Sequence, residues 1–434
     1  MPRFGSSGIR GLANVEVTPE LALCVGKALG ELYGITVVGR DPRTSGPMLS
    51  AALIAGVLSA GAGVVDAGLV STPTLARGAS DYKCGAMVTA SHNPAPYNGI
   101  KLWNPDGMAF DEKQQEEIEA AIDSRSFRVA TWDEVGGLSR RDDLVERHID
   151  AILRDIGSAK ARVVVDCGCG ATSTITPYLL REMGCEVVAI NAHADGHFPG
   201  RDPEPTEENL ALLKSTVRSV QADLGIAHDG DGDRMVAVAG DGTFVGGDTL
   251  LAIFARREVR RGLVVPVDAS MVVEDLLPEA KVWRTRVGDV YVASELKRRG
   301  ADFGGEPSGT WIFPKATFCP DGVYAAARLV SIVADRPLAS LAQEVPRYPM
   351  IRGAVAYDAS KRASIERTLD RALRGLGAEV TTPDGWRLQF EDGWALVRFS
   401  GTEPKIRVLA ESREEPRAKE IYSTVLSSAK GAAA

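Results

Sequence analysis

The sequence predicts an α/β fold: three consecutive α/β domains with mixed, mostly parallel sheets, followed by a smaller C-terminal α+β domain. Three observations lead there. The 434 residues exceed what a single hydrophobic core sustains, about 250 to 300, so the chain must divide. Short β-rich runs alternate with small-residue helical segments in the βα rhythm of a parallel sheet, and that rhythm restarts twice. From about Arg347 the texture changes to strands joined by Asp-Gly turns.

In the first series ITVVGRD, AGVVDAGLV and GAMVTAS read as strands and PMLSAALIAGVLSAG as a helix. The charged SRRDDLVERHIDAILRDI reads as a helical connector. ARVVVDCGCG then opens a second series, continued by CEVVAIN, DLGIAHD and MVAVAG, and GDTLLAIFARR, GLVVPVD, KVWRTRVGD and DFGGEPSG form a third. Each series ends its strands in Gly/Asp-rich loops, where open α/β sheets bind ligands, and the recurrence suggests an internal repeat. In the last segment TTPDGWRLQFEDGWALVRFSGTEPKIRVLAES reads as strands, PRAKEIYSTVLSSAKG as a closing helix and GAAA as a frayed tail. The expected domains are 1–155, 156–246, 247–346 and 347–434.

Hydrophobic residues at 44% and charged residues at 25% are ordinary globular usage. A net charge of -8 argues against nucleic acid as a partner, although a small anion needs only a local basic pocket. MPRFGSSGIRG has no apolar run, and no segment nears the roughly 18 apolar residues of a membrane span, so neither export nor membrane attachment is expected. Six scattered cysteines do not make a disulfide framework, and a cytoplasmic location is expected. Cys167 and Cys169 lack the second half of a zinc site and read as small residues in a Gly-rich turn.

Four short constellations carry chemistry. TASHNP, Thr89 to Pro94, follows an apolar strand and should present Ser91 outward on a loop at the sheet's carboxyl edge. DGDGDR follows the run LGIA. In an extended segment Asp229, Asp231 and Asp233 would face one side, with Gly230 and Gly232 bending the backbone round a hard cation. An EF-hand is excluded, because Arg234 and Gly240 stand where that loop needs Gly and Glu. GEPSG offers Glu306 and Ser308 for adjacent sugar hydroxyls. RFSGTEPKIR combines Arg398, Ser400, Gly401, Thr402, Lys405 and Arg407, a nest able to hold a phosphate dianion. Each alone also reads as an ordinary turn or charged hairpin. Walker A, dinucleotide, G-x-S-x-G and H-E-x-x-H patterns do not occur, which demotes nucleotide kinases, Rossmann dehydrogenases, esterases and zincins.

In this order, a Ser loop, D-x-D-x-D, G-E-x-S-G and R-x-S-G-T-E-P, the four motifs resemble the α-D-phosphohexomutase superfamily over essentially the whole chain. The resemblance implies four domains around a central cleft, each giving one loop. It implies an enzyme that interconverts hexose 6-phosphate and hexose 1-phosphate through phosphoserine at Ser91 and a hexose 1,6-bisphosphate that serves as intermediate and activator. It also implies Mg2+ held by Ser91, Asp229, Asp231 and Asp233, sugar contacts from Glu306 and Ser308, and phosphate contacts from the last loop. Arg10 and Lys101 match positions beside the transferred phosphate, and His92 and Arg234 add charge there. GRDPRTSG, RTRVGD and GGEPSGTWIFP look most like phosphoglucosamine mutases, which implies glucosamine 6-phosphate to glucosamine 1-phosphate. Pro307 and Thr310 stand where phosphomannomutase/phosphoglucomutase enzymes have Met and His, so the proton carrier is open, with Lys101 the first choice. The partner implied is a small-molecule sugar phosphate, with no nucleic acid or membrane, and a homodimer is the assembly considered. The alternatives are a phosphomannomutase/phosphoglucomutase, a Ser-dependent sugar phosphatase and a noncatalytic sugar-phosphate binder.

Overall fold

The computed structural model describes residues 4–5, 8–400 and 403–433. The chain forms two compact units, Met1–Leu250 with Pro307–Ala342, and Leu251–Glu306 with Gln343–Ala434.

The first unit holds two sheets. Strands β1 (Ile9–Leu12), β2 (Thr36–Arg40), β3 (Val64–Leu69), β4 (Cys84–Val88), β5 (Tyr97–Trp103) and β6 (Leu138–Arg140) pair in the order β1-β5-β4-β2-β3-β6. Strands β7 (Arg162–Asp166), β8 (Glu186–Ile190), β9 (Leu224–His228), β10 (Met235–Ala239) and β11 (Phe244–Val245) pair as β11-β10-β9-β7-β8. The two share a plan. In the first, β2 lies parallel to both β3 and β4, and β4 turns back antiparallel into β5. In the second, β7 lies parallel to β8 and β9, and β9 turns back into β10. The suggested repeat is therefore present in strand order, and the Ser loop (β4 to β5) and the Asp loop (β9 to β10) occupy equivalent corners of their sheets.

All five residues of β4 are buried, because the first sheet is covered on both faces. On one face Val38, Ala86, Val88 and Ile100 meet Leu21, Val25, Leu49 and Leu53 from the helices Pro19–Leu32 and Gly46–Ser59. On the other, Val37, Met87 and Trp103 meet Leu75, Leu144 and Cys319. Leu144 begins the helix Leu144–Ile156, so only part of the charged connector is helical; Ser139 and Arg140 instead extend the sheet in β6. Cys167 and Cys169 sit in the turn after β7.

In the second unit Gly262–Pro266 lies parallel to both Lys281–Thr285 and Phe303–Glu306, the same opening plan again. A turn over 307–309 then separates Phe303–Glu306 from the next strand in sequence, Thr310–Ile312. The C-terminal five-stranded sheet runs Met350–Ala356, Lys405–Ser412, Gly393–Phe399, Trp386–Gln389, Glu379–Thr381, every neighbour antiparallel. Its core packs Leu388, Val397, Ile406 and Val408 against Leu369 of the helix Arg362–Arg374 and Ile421 and Val425 of the helix Glu415–Ala433. That last helix corrects the frayed-tail expectation: Ala432 and Ala433 pack on this core, so the helix runs on through Ala433.

Candidate active site

Ser91 follows β4 with φ +52°, a left-handed conformation that costs a non-glycine residue about 1 to 3 kcal/mol unless its surroundings fix it. It is 1% exposed, not turned outward as expected, because the Asp loop lies directly over it. A Cβ on Gly230 would fall 2.6 Å from the Ser91 carbonyl oxygen, so only glycine permits this approach. The Ser91 hydroxyl donates to Asp229 Oδ2 at 2.7 Å and lies 3.2 Å from His92 Nδ1.

The Asp loop is a tight bend, not the extended segment expected. Gly232 takes φ +79°, and the N–H groups of Gly232 and Arg234 donate back to Asp229 Oδ1 at 3.0 and 3.2 Å. The bend still converges the side chains: one carboxylate oxygen each from Asp229, Asp231 and Asp233 lies within 4.8 Å of the others, all buried. Burial, then the charges of Asp233 and Asp231, raises the pKa of Asp229 well above the usual carboxylate range. Burial also works to raise Asp231, but the Lys101 ammonium, the Thr72 hydroxyl and Arg10 together outweigh it and hold Asp231 low.

Lys101, on β5, donates to Asp231 Oδ2 at 2.9 Å and Asp233 Oδ2 at 2.6 Å. Burial alone would lower its pKa; the two carboxylates more than reverse this and keep it an ammonium. Thr72 Oγ1 donates to Asp231 Oδ2 at 2.6 Å. Arg10, on β1, reaches Asn93 Oδ1 with Nη1 at 3.1 Å. Burial, reinforced by Arg234, Arg10 and Lys101, pushes the His92 imidazole down to about 2, so it is neutral. Arg234 pairs with Glu204 at 3.5 Å. The first unit thus gathers Ser91, His92, Lys101, Arg10, Arg234 and the three aspartates.

This set fits a hard divalent cation. Asp231 Oδ1 and Asp233 Oδ1 are buried and accept no hydrogen bond, a costly state unless a cation is their partner. The donors are all oxygens, as Mg2+ requires, and no nitrogen or sulfur competes within the triad.

The remaining predicted residues divide. Ser308 is exposed in the 307–309 turn of the first unit, and Thr310 forms an isolated bridge to Arg234. Glu306 belongs to the second unit, where its Oε1 accepts from the Gly288 N–H at 2.7 Å. Also in the second unit, Arg398 stands directly opposite Arg407 across adjacent strands, with Ala354 on the far side of Arg407. Arg352, Arg398, Arg407 and Asp268 line a cavity of about 410 Å³. Buried Ser400 receives its backbone fold from its N–H to Lys405 O at 2.8 Å, while the Lys405 ammonium pairs with Glu403 at 3.0 Å. Gly401 and Thr402 lie outside the described residues. Sequence reasoning missed Thr72, Arg352 and Asp268, which no local pattern marks, and missed Arg43 although GRDPRTSG was legible.

Four family models match in chain order: phosphoglucomutase/phosphomannomutase alpha/beta/alpha domains I, II and III over residues 1–129, 144–242 and 246–348, and the C-terminal domain over 356–427. The chain belongs to the phosphoglucomutase/phosphomannomutase family. Proteins named "Probable phosphoglucosamine mutase" from Methanococcoides burtonii and Methanosarcina acetivorans are 54% identical over 416 residues and 55% identical over 425. The first alignment covers 95% of this chain and 96% of the relative, the second 97% of each. A phosphoglucomutase/phosphomannomutase family protein from Burkholderia thailandensis is similar in structure, with TM-score 0.87, 28% identity, and 98% of this chain and 97% of that one covered. Membership makes the chain a phosphohexomutase, an isomerase, with the four-domain α/β architecture the sequence predicts. It also implies Mg2+ and a phosphoserine, for which the buried aspartate triad offers the ligand oxygens. Among the described residues no helix is long and apolar enough to cross a membrane.

Proposed function

We propose that this chain interconverts glucosamine 6-phosphate and glucosamine 1-phosphate in the cytoplasm, by way of phosphoserine at Ser91 and the 1,6-bisphosphate. The observation that carries the reading is the Ser91 hydroxyl 2.7 Å from Asp229, inside a buried group of three aspartates and one ammonium. The preference for glucosamine is supported by the names of the relatives that are 54% and 55% identical.

In the first half-reaction the P–O bond to Ser91 Oγ breaks as one forms to the free hydroxyl oxygen of the sugar monophosphate, and the proton that hydroxyl loses is balanced by the one Ser91 Oγ gains. In the second, the other phosphate of the bisphosphate returns a phosphoryl group to Ser91. Phosphoryl transfer asks a protein chiefly for position and for charge at the equatorial oxygens. Asp229, Asp231 and Asp233 would hold Mg2+, which would supply part of that charge. Arg10, Lys101 and Arg234 supply the rest, and neutral His92 donates or accepts a hydrogen bond without adding charge. Lys101, kept an ammonium, is placed to donate a charged hydrogen bond to the departing oxygen. Glu306 and Ser308 contact the sugar. Arg398, Ser400, Lys405 and Arg407, with Gly401 and Thr402 between them and Arg352 beside them, grip the phosphate that is not reacting. That grip must accept the sugar in both orientations, and a cavity edged by three guanidiniums suits this.

The test is a coupled assay with glucosamine 6-phosphate, glucose 1-phosphate and mannose 1-phosphate, each with catalytic bisphosphate. The reading requires the highest kcat/KM on the glucosamine phosphate. A higher value on mannose or glucose phosphate would instead favour the phosphomannomutase/phosphoglucomutase activity that the family description names.

A further inference from the structure

Arg43 is fully buried, and each of its five guanidinium N–H groups has an acceptor. Nε donates to Asp41 Oδ2 at 3.0 Å. Nη1 donates to the carbonyls of Pro94 and Tyr97 at 2.8 and 2.9 Å, and Nη2 to those of Ser91 and Asn93 at 2.8 and 2.7 Å. Four of the five bonds thus end on one seven-residue stretch, the loop that carries Ser91. Asp41 completes the frame from the other side. Its Oδ2 also accepts from Thr89 Oγ1 at 2.7 Å, and Thr89 Oγ1 accepts from the Ser91 N–H at 2.8 Å. Both backbone polar groups of Ser91 are therefore tied, directly or through Thr89, to the Asp41–Arg43 pair.

The frame reaches the aspartate loop as well. The Arg43 guanidinium carbon lies 5.1 Å from the centroid of the Phe198 ring, and the Phe198 edge would lie 3.5 Å from a Cβ at Gly230. Gly230 separates Asp229 from Asp231, so one buried cation touches the Ser91 loop by hydrogen bonds and the Asp loop through an aromatic ring.

We propose that Arg43 is a positioning residue for phosphoryl transfer: it holds Ser91 in its left-handed conformation so that Oγ stays against the aspartate triad through both half-reactions. This rests on the reading of Ser91 as phosphoryl carrier. A loop with a backbone strained at one residue relaxes unless it is over-determined, and here Arg43 supplies four of the hydrogen bonds that fix the loop, one of them on the Ser91 carbonyl itself. It touches neither substrate nor the transferred group, so its loss acts on the chemical step and not on substrate binding. Lysine keeps the charge but offers no fork that could span four carbonyls.

The test is Arg43→Lys, assayed with Mg2+ for kcat and KM on glucosamine 6-phosphate, and by intact mass for the rate at which Ser91 takes a phosphoryl group from glucose 1,6-bisphosphate. A displacement of about 1 Å at a reacting atom costs on the order of a hundredfold, so kcat and the phosphorylation rate should both fall by about that factor, with KM changed less than about threefold. A folded Arg43→Lys protein with near wild-type kcat, or with a raised KM and unchanged kcat, overturns the proposal. Should Arg43→Lys not fold, Asp41→Asn carries the test, since it loosens one of the five bonds at constant volume and should give the same split at about three- to tenfold. Wild-type protein that turned over without phosphorylating Ser91 would overturn the carrier reading itself; wild-type protein that phosphorylates Ser91 alongside variants that do so equally fast would overturn only the role of Arg43.

Discussion

The Ser91 hydroxyl donates to Asp229 Oδ2 across 138 residues of sequence, joining the equivalent corners of two sheets built on one plan. The proposed carrier and the proposed cation ligands therefore touch before any substrate arrives.

Replacing Ser91 by Ala removes the oxygen that accepts the phosphoryl group and the bond to Asp229. Mutase activity should fall by several orders of magnitude with the fold unchanged, measured as turnover alongside circular dichroism. An alanine variant with near wild-type turnover would remove Ser91 from the reaction.

Activity should vanish in EDTA and return with Mg2+ better than with Zn2+. The triad supplies only oxygens, which suit octahedral Mg2+, whereas tetrahedral Zn2+ would hold the phosphate in an unproductive geometry. Full turnover in metal-stripped protein would refute the role given to Asp229, Asp231 and Asp233.

Much of this was legible in the sequence, for identifiable reasons. Strands buried on both faces read as unbroken apolar runs, as in β4, so the three βα series could be counted and the chemistry placed at their ends. GEPSG and RFSGTEPKIR each read alone as an ordinary turn or charged hairpin, and only the ordered set of four motifs led to the proposed sugar and phosphate loops. What was not legible depends on distant partners. Ser91 read as outward-facing because nothing near it in sequence shows that Arg43, 48 residues earlier, holds its carbonyl. Thr72 opens the helix Thr72–Gly78, yet it donates to Asp231 from 159 residues away, which nothing near it in sequence shows. The aspartates were expected on an extended segment, but the Gly232 and Arg234 N–H groups fold the loop back on Asp229.

Lys101 should stabilise the metal-free protein as well as act in it. Its ammonium is the counter-ion of Asp231 and Asp233 among nearly buried partners, and removing one member of such a group costs about 3 to 5 kcal/mol. Lys101→Met should therefore lower the denaturation midpoint in EDTA, and saturating Mg2+ should restore part of the loss. An unchanged midpoint in EDTA would mean that Lys101 is not the counter-ion.

Arg407→Ala, and likewise Ser400→Ala, should act mainly on KM. A grip on the nonreacting phosphate is present in ground and transition states alike, and uniform binding of that kind appears in KM more than in kcat. A charge-assisted hydrogen bond contributes roughly 1.5 to 3 kcal/mol, so Arg407→Ala should raise the apparent KM about ten- to a hundredfold, in both directions. Escape of the bisphosphate should also make the variant more dependent on added bisphosphate. Unchanged KM and unchanged dependence would make the hairpin a charged surface and no more.

The most direct measurement is peptide-resolved mass spectrometry of the wild-type protein after incubation with Mg2+ and glucose 1,6-bisphosphate, and again after a chase with excess glucosamine 6-phosphate. The account predicts one phosphoryl group on the peptide containing Ser91, discharged by the chase at a rate at least equal to kcat. Turnover with Ser91 unmodified, or with a phosphoryl group that the sugar phosphate does not remove, would contradict it.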